Sequence, residues 1–548
     1  MPTASPLEKF LQWEKENPSR IMLRQPMSGE WRTWTWKQAG DECRRIAAAI
    51  KDSNLAPGSH IAILSKNCAH WIMADIAIMM AGCVSIPLYP TLTSESIRTI
   101  LDHSDAKAII IGKLDNYEEQ QAGISPSLIR ISCSTYGIHE KNTWEGIVDS
   151  HAPLDKVHNW SPDELLTIIY TSGTTGTPKG VMHKAGTFGL VIEKVTKVIE
   201  IPPNPYMFSY LPLSHVAERL AVEMNILYNG GTASFAESLD TFGANLASVQ
   251  PHAFFAVPRI WAKFQEGILK KMPQKKLDRL LQIPVISTII KKSIRKKLGL
   301  SRANILLSAA APISLDLLLW FEKLGITIYQ VYGMSEDSVY AHFNKRGENK
   351  FGSVGRPLDG LQVKFSDEGE ICVKSPGNFA GYYKEPELTA ATFDEEGYLK
   401  TGDKGEYDKE GYLFITGRIK DQFKTDKGKY ISPAPIELLL TGNKNIEQAC
   451  VVGMGIPQPI ALVTLSLIGK NNSRDELIEN LTRLLSSMNH QLENFEQLEK
   501  MVILKNDWTV ENGLMTPTLK VKRNEVEKIF SPRYVEWFHK IDTIIWED

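Results

Sequence analysis

The segment from Tyr170 to Gly180, YTSGTTGTPKG, limits what this chain can fold into more than any other stretch. It follows the apolar run 165–169, which has the length and composition of a buried strand. Its three glycines allow a tight turn and a close approach of backbone N–H groups to an anion, while its hydroxyl groups and Lys179 add further donors and a positive charge. The segment therefore predicts a polyphosphate-binding loop directly after a strand, and the alternative is a flexible surface loop.

This loop differs from the phosphate loop of the GTPases. That loop has the pattern GK[ST] and opens a helix, whereas here Lys179 is followed by Gly180 and Val181. We therefore do not expect the phosphates to lie at the start of a helix, and a GTPase of this kind is disfavoured.

Composition limits the classes of function. At 548 residues the chain is too long for a single core, so we expect two or more domains. The net charge of −2 argues against a nucleic-acid binder. The six cysteines are scattered without a CxxC pair, which disfavours a zinc or redox motif and is typical of a reducing cytosol. The polar N-terminus, MPTASPLEKF, lacks the apolar core of a signal peptide, so we expect a cytoplasmic protein.

Strand-like and helix-like patterns alternate through the first 330 residues. Residues 34–52 have the apolar spacing of a helix, and 61–64 and 108–111 are typical of strands. The apolar window 71–89 is interrupted by polar residues, glycine and proline, which predicts a buried helix and a buried strand rather than a membrane span. The alternation indicates a large N-terminal domain of layered α/β subdomains with largely parallel sheets.

The pattern changes after Gly352. Residues 360–416 contain short alternating strands with turn signals, and 396–399 and 410–413 resemble each other, which predicts a small barrel-like or meandering β region. The charged segment 417–421 separates this region from a mixed pattern. We therefore predict a large domain at 1–418 and a smaller mixed α/β domain at 422–548.

Residues 270–302 form a basic segment. Eleven lysine and arginine residues and one acidic residue, Asp278, surround the apolar run 281–290. One interpretation is a solvated helical face. The other is a contact with a membrane surface, in which basic residues attract anionic lipid and the apolar run enters the interface. The second interpretation places the protein at the inner face of the membrane.

Three further motifs contain residues that could bind a ligand, and each motif also has a structural interpretation. In YQVYGMSED, 329–337, Tyr332 could stack on a purine and Glu336 could bind Mg²⁺, or the motif could be a strand end with a polar turn. In YLKTGD, 398–403, Asp403 could hold ribose hydroxyls together with Arg418, or be a common turn aspartate. In LPLSHVAERL, 211–220, His215 has apolar neighbours, which is more often the setting of a core residue.

A fourth motif lies near the C-terminus, where 513–523 read GLMTPTLKVKR. A lysine on a mobile loop suits the neutralisation of charge in a transition state. The structural alternative is an ordinary basic turn.

In their order along the chain, these motifs resemble the series found in the adenylate-forming superfamily, which includes acyl-CoA synthetases, luciferases and adenylation domains. The series also contains SAAAPIS, 308–314, and GRIKD, 417–421, and it covers nearly the whole chain. The motifs at 211–220 and 513–523 are most similar to those of long-chain fatty acyl-CoA synthetases. The resemblance implies a ligase that uses a fatty acid, ATP, Mg²⁺ and CoA. The fatty carboxylate attacks the α-phosphate of ATP, and the CoA thiol then displaces AMP.

The resemblance also implies roles for individual residues. Lys520 would be catalytic, bridging the carboxylate and the α-phosphate, and His215 would lie beside the acyl group. Residues 1–418 would bind ATP and the acyl chain, and 419–421 would be a hinge about which 422–548 turn between the half-reactions. The residues implied to bind ATP or CoA are Thr171, Ser172, Gly173, Thr174, Thr175, Gly176, Lys179, Ala310, Gln330, Tyr332, Gly333, Ser335, Asp403, Arg418, Lys420, Lys424 and Gly428, and those implied to approach Mg²⁺ are Thr171 and Glu336.

Two departures from the family pattern leave alternatives open. Ser335 replaces a common threonine but keeps the hydroxyl, and Thr518-Leu519 replace a serine-glycine pair, so Lys522 is an alternative to Lys520 as the catalytic lysine. The acceptor is open as well, because a fatty acyl-AMP ligase that transfers to a carrier protein would share the first step. A luciferase, a peptide-synthetase adenylation domain and a non-catalytic nucleotide- or lipid-binding module are further alternatives. The motifs specify neither the acyl chain length nor the oligomeric state.

Overall fold

The computed structural model describes residues 3–172, 178–516 and 519–547, and for Ser172 it describes the backbone alone. Strands and helices alternate through its first part, as predicted. The elements up to Val198 are α1 (Pro6–Glu16), β1 (Ile21–Met27), β2 (Glu30–Thr35), α2 (Trp36–Asp52), β3 (His60–Leu64), α3 (Ala69–Ala81), β4 (Val84–Leu88), α4 (Ser94–His103), β5 (Ala108–Ile111), α5 (Tyr117–Gln120), β6 (Ile129–Ser132), β7 (Asn142–Thr143), α6 (Trp144–Ser150), β8 (Leu165–Ser172), β9 (Pro178–Lys184) and α7 (Ala185–Val198).

The middle of the chain keeps this alternation and adds a run of three consecutive helices. Its elements are β10 (Tyr206–Ser209), α8 (Val216–Glu218), α9 (Asn225–Asn229), β11 (Thr232–Phe235), α10 (Phe242–Val249), β12 (Ala253–Ala256), α11 (Pro258–Lys271), α12 (Gln274–Leu281), α13 (Pro284–Lys297), β13 (Ile305–Ser308), α14 (Leu315–Lys323), β14 (Tyr329–Tyr332), β15 (His342–Phe343) and β16 (Arg356–Pro357). A π-helical stretch, Arg219–Met224, joins α8 to α9.

The last part is richer in short strands. It contains β17 (Gln362–Phe365), β18 (Glu370–Lys374), β19 (Gly381–Tyr382), α15 (Pro386–Thr392), β20 (Leu399–Tyr407), β21 (Leu413–Arg418), β22 (Phe423–Lys424), β23 (Tyr430–Ile431), α16 (Pro433–Thr441), β24 (Ile446–Val452), β25 (Ile460–Leu465), α17 (Leu467–Asn471), α18 (Arg474–Asn489), β26 (Lys500–Ile503), α19 (Arg523–Phe530), α20 (Tyr534–His539) and β27 (Ile544–Trp546).

The largest sheet has eight strands in the order β19-β9-β8-β4-β3-β5-β6-β7. Its neighbours from β8 to β7 are parallel, whereas β9 and β19 add antiparallel strands at one edge. The strands predicted at 61–64, 108–111 and 165–169 are β3, β5 and the first part of β8, so these predictions are confirmed. The chain after β8 returns as the antiparallel strand β9, so no helix begins directly after the predicted phosphate loop, which agrees with the missing GK[ST] pattern.

Helices α2 and α3 pack against each other, and α3 lies on β3 and β4 of this sheet. The helix predicted at 34–52 begins at Trp36, because Thr35 and Gln38 form a capping box and Thr35 still belongs to β2. The apolar window 71–89 forms α3 and β4, all of whose residues are buried, and Gly82 ends α3 in the left-handed conformation with φ 74°. The prediction of a buried helix and strand at 71–89 is therefore confirmed. Among the described helices, none is both long and apolar enough to cross a bilayer.

Two further sheets complete the large α/β region. Their strand orders are β10-β11-β1-β2 and β12-β13-β14-β15-β16. In the second, β12, β13 and β14 are parallel. Ligands of open α/β sheets bind at the carboxyl ends of the strands, and here the motifs at 211–220, 308–314 and 329–337 leave the carboxyl ends of β10, β13 and β14.

The predicted β region forms a four-stranded antiparallel meander, β17-β18-β20-β21. Its two similar turns are built in the same way. Asp394 accepts hydrogen bonds from the backbone N–H groups two and four residues later, and Asp408 does the same. Gly397 and Gly411 both have φ 79°, which favours glycine. The similarity of these turns in the sequence therefore reflects a shared geometry.

The C-terminal part is a mixed sheet in the order β24-β25-β26-β27. Helices α16 and α18 pack on one face and α19 and α20 on the other, and the two buried clusters that result draw on residues from Phe423 onwards. The mixed α/β class predicted for this part is confirmed. Residues Ile419–Asp421 form a 3-10 turn between β21 and β22, and their role as a hinge stays a prediction.

Candidate active site

An aspartate–arginine pair lies where β20 and β21 face each other in the meander. Asp403 is opposite Arg418 in the ladder, and the Arg418 Nε donates a 2.6 Å hydrogen bond to Asp403 Oδ1. The Tyr332 hydroxyl, from the end of β14, donates to Asp403 Oδ2 at 2.8 Å. The charge of Asp403 raises the pKa of the Arg418 guanidinium, and burial together with Asp403 raises that of the Tyr332 hydroxyl. The carboxylate is thus fixed by two donors, and each oxygen keeps a further lone pair for a ligand.

Lys520 approaches this pair from the C-terminal region. Its backbone N–H donates to the Thr516 hydroxyl at 3.0 Å, and the neighbouring Leu519 has φ 62°. The Lys520 side chain is exposed to solvent at the edge of a cleft, yet the surrounding protein removes part of its hydration. Desolvation and the nearby Arg418 therefore lower the pKa of its ammonium group to about 8, while Asp403 opposes this shift.

A histidine also lies within electrostatic range of the lysine. His215 is enclosed by protein, and burial together with the Lys520 charge lowers the pKa of its imidazole to about 4. The backbone N–H of Ala217 donates to His215 Nδ1 at 3.1 Å, so the neutral ring carries its proton on Nε2. The structure therefore brings together Lys520, His215, Asp403 and Arg418, which come from four separate parts of the chain.

His215 also lines a small pocket that is partly open to solvent. The other lining residues are mainly apolar: Leu211, Pro212, Ala217, Glu218, Phe255, Val257 and Ala310. Ala310 has φ 71°, an uncommon left-handed conformation for a residue other than glycine. Backbone strain of this kind concentrates at binding sites, where the surrounding structure holds it in place.

Glu218 is a lining residue that sequence reasoning missed. Its Oε1 accepts hydrogen bonds from the Ser209 hydroxyl and the Tyr210 backbone N–H, both at 2.9 Å. Asn67 donates to the same Ser209 hydroxyl at 2.7 Å and accepts from the Leu213 backbone N–H at 3.0 Å. Burial raises the pKa of the Glu218 carboxyl to about 8. This network fixes the loop that carries His215. The only sequence signal was the glutamate of the LPLSHVAERL motif, because Asn67 lies far away in the chain.

The end of the β8–β9 hairpin meets the 329–337 motif through one tyrosine. Tyr382, in β19, donates a 2.8 Å hydrogen bond to Glu336 Oε1, and the Lys179 ammonium lies 5.4 Å from the centroid of the Tyr382 ring. Lys179 is paired with Thr171 across the hairpin. Residues Gly173, Thr174, Thr175 and Gly176 of the predicted phosphate loop lie outside the described residues, and so does the side chain of Ser172.

These residues suit Mg²⁺ as it binds beside a nucleotide. No group of three or more histidine, cysteine, aspartate and glutamate side chains that could hold a metal occurs in the part of the chain that the structure describes. Mg²⁺ does not need such a cage, because it keeps several waters and is bound by one or two carboxylates together with substrate phosphates. The buried Glu336 carboxylate, oriented by Tyr382, supplies that kind of ligand.

The remaining residues of the 329–337 motif also have structural tasks. Gln330 is buried and accepts a 3.2 Å hydrogen bond from the Gly352 backbone N–H. A Cβ atom at Gly333 would lie 2.6 Å from the Val339 Cα, so packing within the chain already requires a glycine there. Ser335 begins a 3-10 turn, Ser335–Asp337. These contacts explain the residues as parts of the fold and leave their predicted contacts with ATP as predictions.

The structure places a second set of predicted residues in the C-terminal region. Lys420 is exposed in the 3-10 turn 419–421. Lys424 lies in β22 with its ammonium 5.7 Å from the Tyr430 ring, and Gly428 makes the turn between β22 and β23 with φ 76°. The β22–β23 hairpin packs against the C-terminal sheet, where Lys427 donates to Gln458. The contacts described for Lys424 and Gly428 thus lie within the C-terminal region.

One arginine joins the two parts of the molecule. Arg259, at the start of α11, donates from Nε to Glu447 Oε1 at 2.7 Å and from Nη1 to Met515 Sδ at 3.5 Å. Met515 pairs with Val521 in an isolated bridge around the loop that carries Lys520. Arg523 fixes the other end of this loop through Glu437 and the Val451 carbonyl.

Known proteins with similar sequences cover almost the whole chain. The long-chain-fatty-acid–CoA ligase FadD15 of Mycobacterium bovis is 26% identical over 572 aligned positions, covering 94% of each protein. The peroxisomal long chain acyl-CoA synthetase 7 of Arabidopsis thaliana is 29% identical, covering 94% of this chain and 82% of that protein. At these identities, the similarity by itself does not transfer a substrate.

Solved structures share the fold. The adenylation domain of a carboxylate reductase from Mycobacterium chelonae superposes with a TM-score of 0.83 at 22% identity, covering 98% of this chain and 92% of that one. An anthranilate CoA ligase in complex with anthranoyl-AMP gives a TM-score of 0.79 at 19% identity, covering 96% and 98%.

Family models agree with both comparisons. The model of the AMP-binding enzyme matches residues 10–383, and that of the AMP-binding enzyme C-terminal domain matches residues 420–540. The first match alone covers more than half of the chain and contains the hairpin of Lys179, His215, Tyr332 and Glu336. The chain therefore belongs to the AMP-binding enzyme family, the adenylate-forming enzymes that its motifs resemble.

Proposed function

We propose that this enzyme is an ATP-dependent long-chain fatty acid–CoA ligase that forms AMP. The AMP-forming ligase chemistry follows from the family, and the choice of a long-chain acid is supported by the relatives that match along nearly the whole chain. The mainly apolar lining of the small pocket beside His215 supports an acyl group at that position.

The observation that carries the proposal is the position of Lys520. Its ammonium lies within electrostatic range of Asp403 and Arg418, and also of His215. A cation in this position joins the site suited to a nucleotide with the mouth of the apolar pocket. That junction is where a fatty carboxylate and the α-phosphate of ATP would meet.

The first half-reaction joins these two anions. A carboxylate oxygen forms a bond to the α-phosphorus while the bond from that phosphorus to the bridging oxygen of pyrophosphate breaks, and pyrophosphate leaves. The carboxylate needs no general base, since it is ionised at pH 7. The protein must neutralise charge and align the groups, which Lys520 would do at the α-phosphate and Lys179 at the leaving phosphates.

Other residues would orient the nucleotide. Asp403 would accept hydrogen bonds from the ribose hydroxyls while Arg418 and Tyr332 hold it, and Gln330 would flank the adenine. Thr171 and Glu336 would hold Mg²⁺, which would neutralise phosphate charge when bound.

The second half-reaction forms the thioester. The CoA sulfur bonds to the acyl carbon, the bond from that carbon to the AMP oxygen breaks, and the thiol proton passes to solvent. In the proposed cycle the C-terminal region, 422–548, turns about 419–421, which withdraws Lys520 and brings the segment 428–430 to the channel for the pantetheine of CoA. Lys520 and Gly428 lie on different loops of that region, which supports this exchange.

The decisive experiment is ATP–pyrophosphate exchange with acids from acetate to long-chain fatty acids, followed by addition of CoA. We expect exchange to be strongest with long-chain acids and an acyl-CoA product to form. Absence of exchange with every acid would contradict the proposal, and a maximum at acetate or at an aromatic acid would contradict its substrate class.

The acceptor has a second candidate. One solved structure of similar fold is an adenylation domain joined to its carrier domain, from a carboxylic acid reductase of Segniliparus rugosus, with a TM-score of 0.81 at 20% identity over 98% of this chain and 82% of that one. If the exchange occurs but no thioester forms with CoA, transfer to a carrier protein becomes the better proposal.

A further inference from the structure

The hairpin of α12 and α13, hereafter the basic hairpin (274–297), has an apolar tip on the surface. Ile283 is 46% exposed, Val285 72% and Ile289 61%, and Ile286 beside them is also exposed. A single exposed apolar side chain is ordinary, but a contiguous group at the tip of a hairpin indicates an interaction site.

The basic hairpin is fastened to the body of the protein, so its tip protrudes from a fixed base. Leu277 of α12 and Ile294 of α13 are buried in the cluster around the sheet of β12–β14. The Trp320 indole donates a 2.8 Å hydrogen bond to Gln274 Oε1, and the Arg295 Nε donates to the Leu300 carbonyl at 2.9 Å.

Basic side chains lie along the basic hairpin and beside its base. Nine of the eleven lysine and arginine residues of 270–302 are exposed: Lys270, Lys271, Lys275, Lys276, Arg279, Lys292, Lys296, Lys297 and Arg302. In the described part of the chain, no carboxylate forms an ion pair with any of these nine. The whole chain has a net charge of −2, so the residues outside this positive region carry a net negative charge.

The spacing along α13 puts both kinds of residue on one face. Val285, Ile289, Lys292 and Lys296 follow each other at intervals of four, three and four residues, which is the repeat of a single helical stripe. The buried Ser287 and Ile294 lie on the opposite face. The outward stripe is therefore apolar toward the tip and basic away from it.

We propose that the basic hairpin docks the protein on an anionic lipid bilayer. The tip enters the interface, and the lysines on both helices contact the headgroups while their aliphatic stems cover the apolar surface between them. A nucleic acid would not need the protruding apolar tip, and an acidic protein would need a shaped counterpart for it, so a fluid anionic surface fits both features.

The fold connects this surface to the pocket beside His215. Val257, which lines the pocket, immediately precedes α11, and α11 ends at Lys271 just before the basic hairpin. The benefit of docking, access to an acid dissolved in the membrane, rests on the proposed function. The docking itself does not, because it needs no turnover.

The test is co-sedimentation of the full chain with vesicles. We expect binding to vesicles of phosphatidylcholine with phosphatidylglycerol at low salt, weaker binding at high salt, and little binding to phosphatidylcholine alone. The double variant K292E/K296E should lose about 25-fold or more of this binding, at about fivefold per basic residue. The double variant V285S/I289S should lose about tenfold through the apolar contact.

Matched controls use residues of the same type elsewhere on the surface. The variant K15E/K37E changes two exposed lysines on α1 and α2, and L239S changes a leucine that is 95% exposed. Both should bind vesicles much as the unchanged protein does, after correction for net charge. All four variants should keep their far-UV circular dichroism and their activity on a soluble medium-chain acid without vesicles.

The proposal is overturned if the unchanged protein does not sediment with anionic vesicles, or if the hairpin variants bind as the controls do. Loss of vesicle binding with normal ATP–pyrophosphate exchange would support docking. Absence of exchange with normal vesicle binding would contradict the proposed function alone.

Discussion

Two clusters of oppositely charged side chains in this molecule both pair an arginine with carboxylates, but they differ in burial. In the interior, Arg219 contacts Asp75 at 2.5 Å and Glu223 at 3.0 Å, and all three side chains are fully buried. In the cleft, Arg418 contacts Asp403 at 2.6 Å, but the Arg418 side chain is 50% exposed. The first cluster is closed within the fold, whereas the second faces space that a ligand can enter.

This difference in burial separates a cluster that stabilises the fold from one that a ligand could reach. Arg219 also donates to Thr167 at 2.8 Å and lies against the rings of Trp71 and Phe188, so protein atoms meet its guanidinium on every described side. Burial and the neighbouring Asp75 raise the pKa of Glu223, which shows how strongly this cluster depends on its single cation. The cleft cluster instead receives a second cation, Lys520, from another part of the chain.

The largest expected effect breaks the interior cluster. Replacing Arg219 by Leu leaves Asp75 and Glu223 buried without their cation, so we expect a loss of about 3–5 kcal/mol of stability. Thermal unfolding would show it as a clearly lower midpoint. Arg418→Leu is the matched change in the cleft, and it should cost about 1 kcal/mol because the Arg418 side chain is 50% exposed and Tyr332 still donates to Asp403.

A compensating variant sharpens this result. Arg219→Met combined with Asp75→Asn and Glu223→Gln removes all three charges and should recover much of the lost stability. Equal unfolding midpoints for Arg219→Leu and Arg418→Leu would show that burial does not distinguish the two clusters.

The second expected effect concerns catalysis without stability. Lys520→Ala should lower the rate of ATP–pyrophosphate exchange by about 100- to 1,000-fold, the range for losing one preorganised charge-stabilising donor. ATP binding and the unfolding midpoint should change little. Lys522→Ala is the control, since Lys522 lies two residues away. If Lys522→Ala loses the exchange and Lys520→Ala keeps it, the assignment of the catalytic lysine is wrong.

The third effect is the pH dependence of adenylate formation, which should follow the charge of Lys520 beside the Asp403–Arg418 pair. The protonated form of Lys520 carries the charge that the reaction needs, and its pKa is about 8. We therefore expect kcat/KM for adenylate formation to be retained below this pH and to fall about tenfold per unit above it, because kcat/KM reports ionisations of the free enzyme. An Arg at 520 stays charged, so any activity that Lys520→Arg keeps should not fall in this window. A profile of the unchanged enzyme that is flat to pH 10 would contradict the role of Lys520.

The smallest effect tests the orientation of Asp403. Tyr332→Phe removes the 2.8 Å hydrogen bond to Asp403 Oδ2 but leaves Arg418 in place. We expect KM for ATP to rise about tenfold with kcat nearly unchanged, as for the loss of one hydrogen bond to a charged group. Steady-state kinetics at varied ATP measures this. Tyr407→Phe, which removes a tyrosine hydroxyl bound to His342 instead, serves as the control.

The sequence predicted those parts of the fold that depend on local patterns. The strands β3, β5 and β8, the buried helix α3 and the paired turns at Asp394 and Asp408 each follow from a short run of residues. The family followed from the order of the motifs. The missing GK[ST] pattern argued against a helix after the phosphate loop, but the antiparallel return of β9 was not predicted.

The contacts that assemble the site could not be predicted in this way. Asn67 and Glu218 belong to segments far apart, and no local pattern links them. Tyr382 reaches Glu336 only because β19 joins the edge of the large sheet. Gly333 shows the reverse case. The resemblance implied a contact between Gly333 and ATP, whereas packing against Val339 already requires a glycine at this position.

Arg259 gives the molecule a mechanical connection. Its guanidinium contacts Met515 beside the loop that carries Lys520, and its backbone lies at the start of α11, a helix of 14 residues. Such a helix is a stiff rod of about 21 Å. A tilt imposed at the Lys271 end would therefore shift the seat of the loop at the other end, which couples the basic hairpin to the loop that carries Lys520.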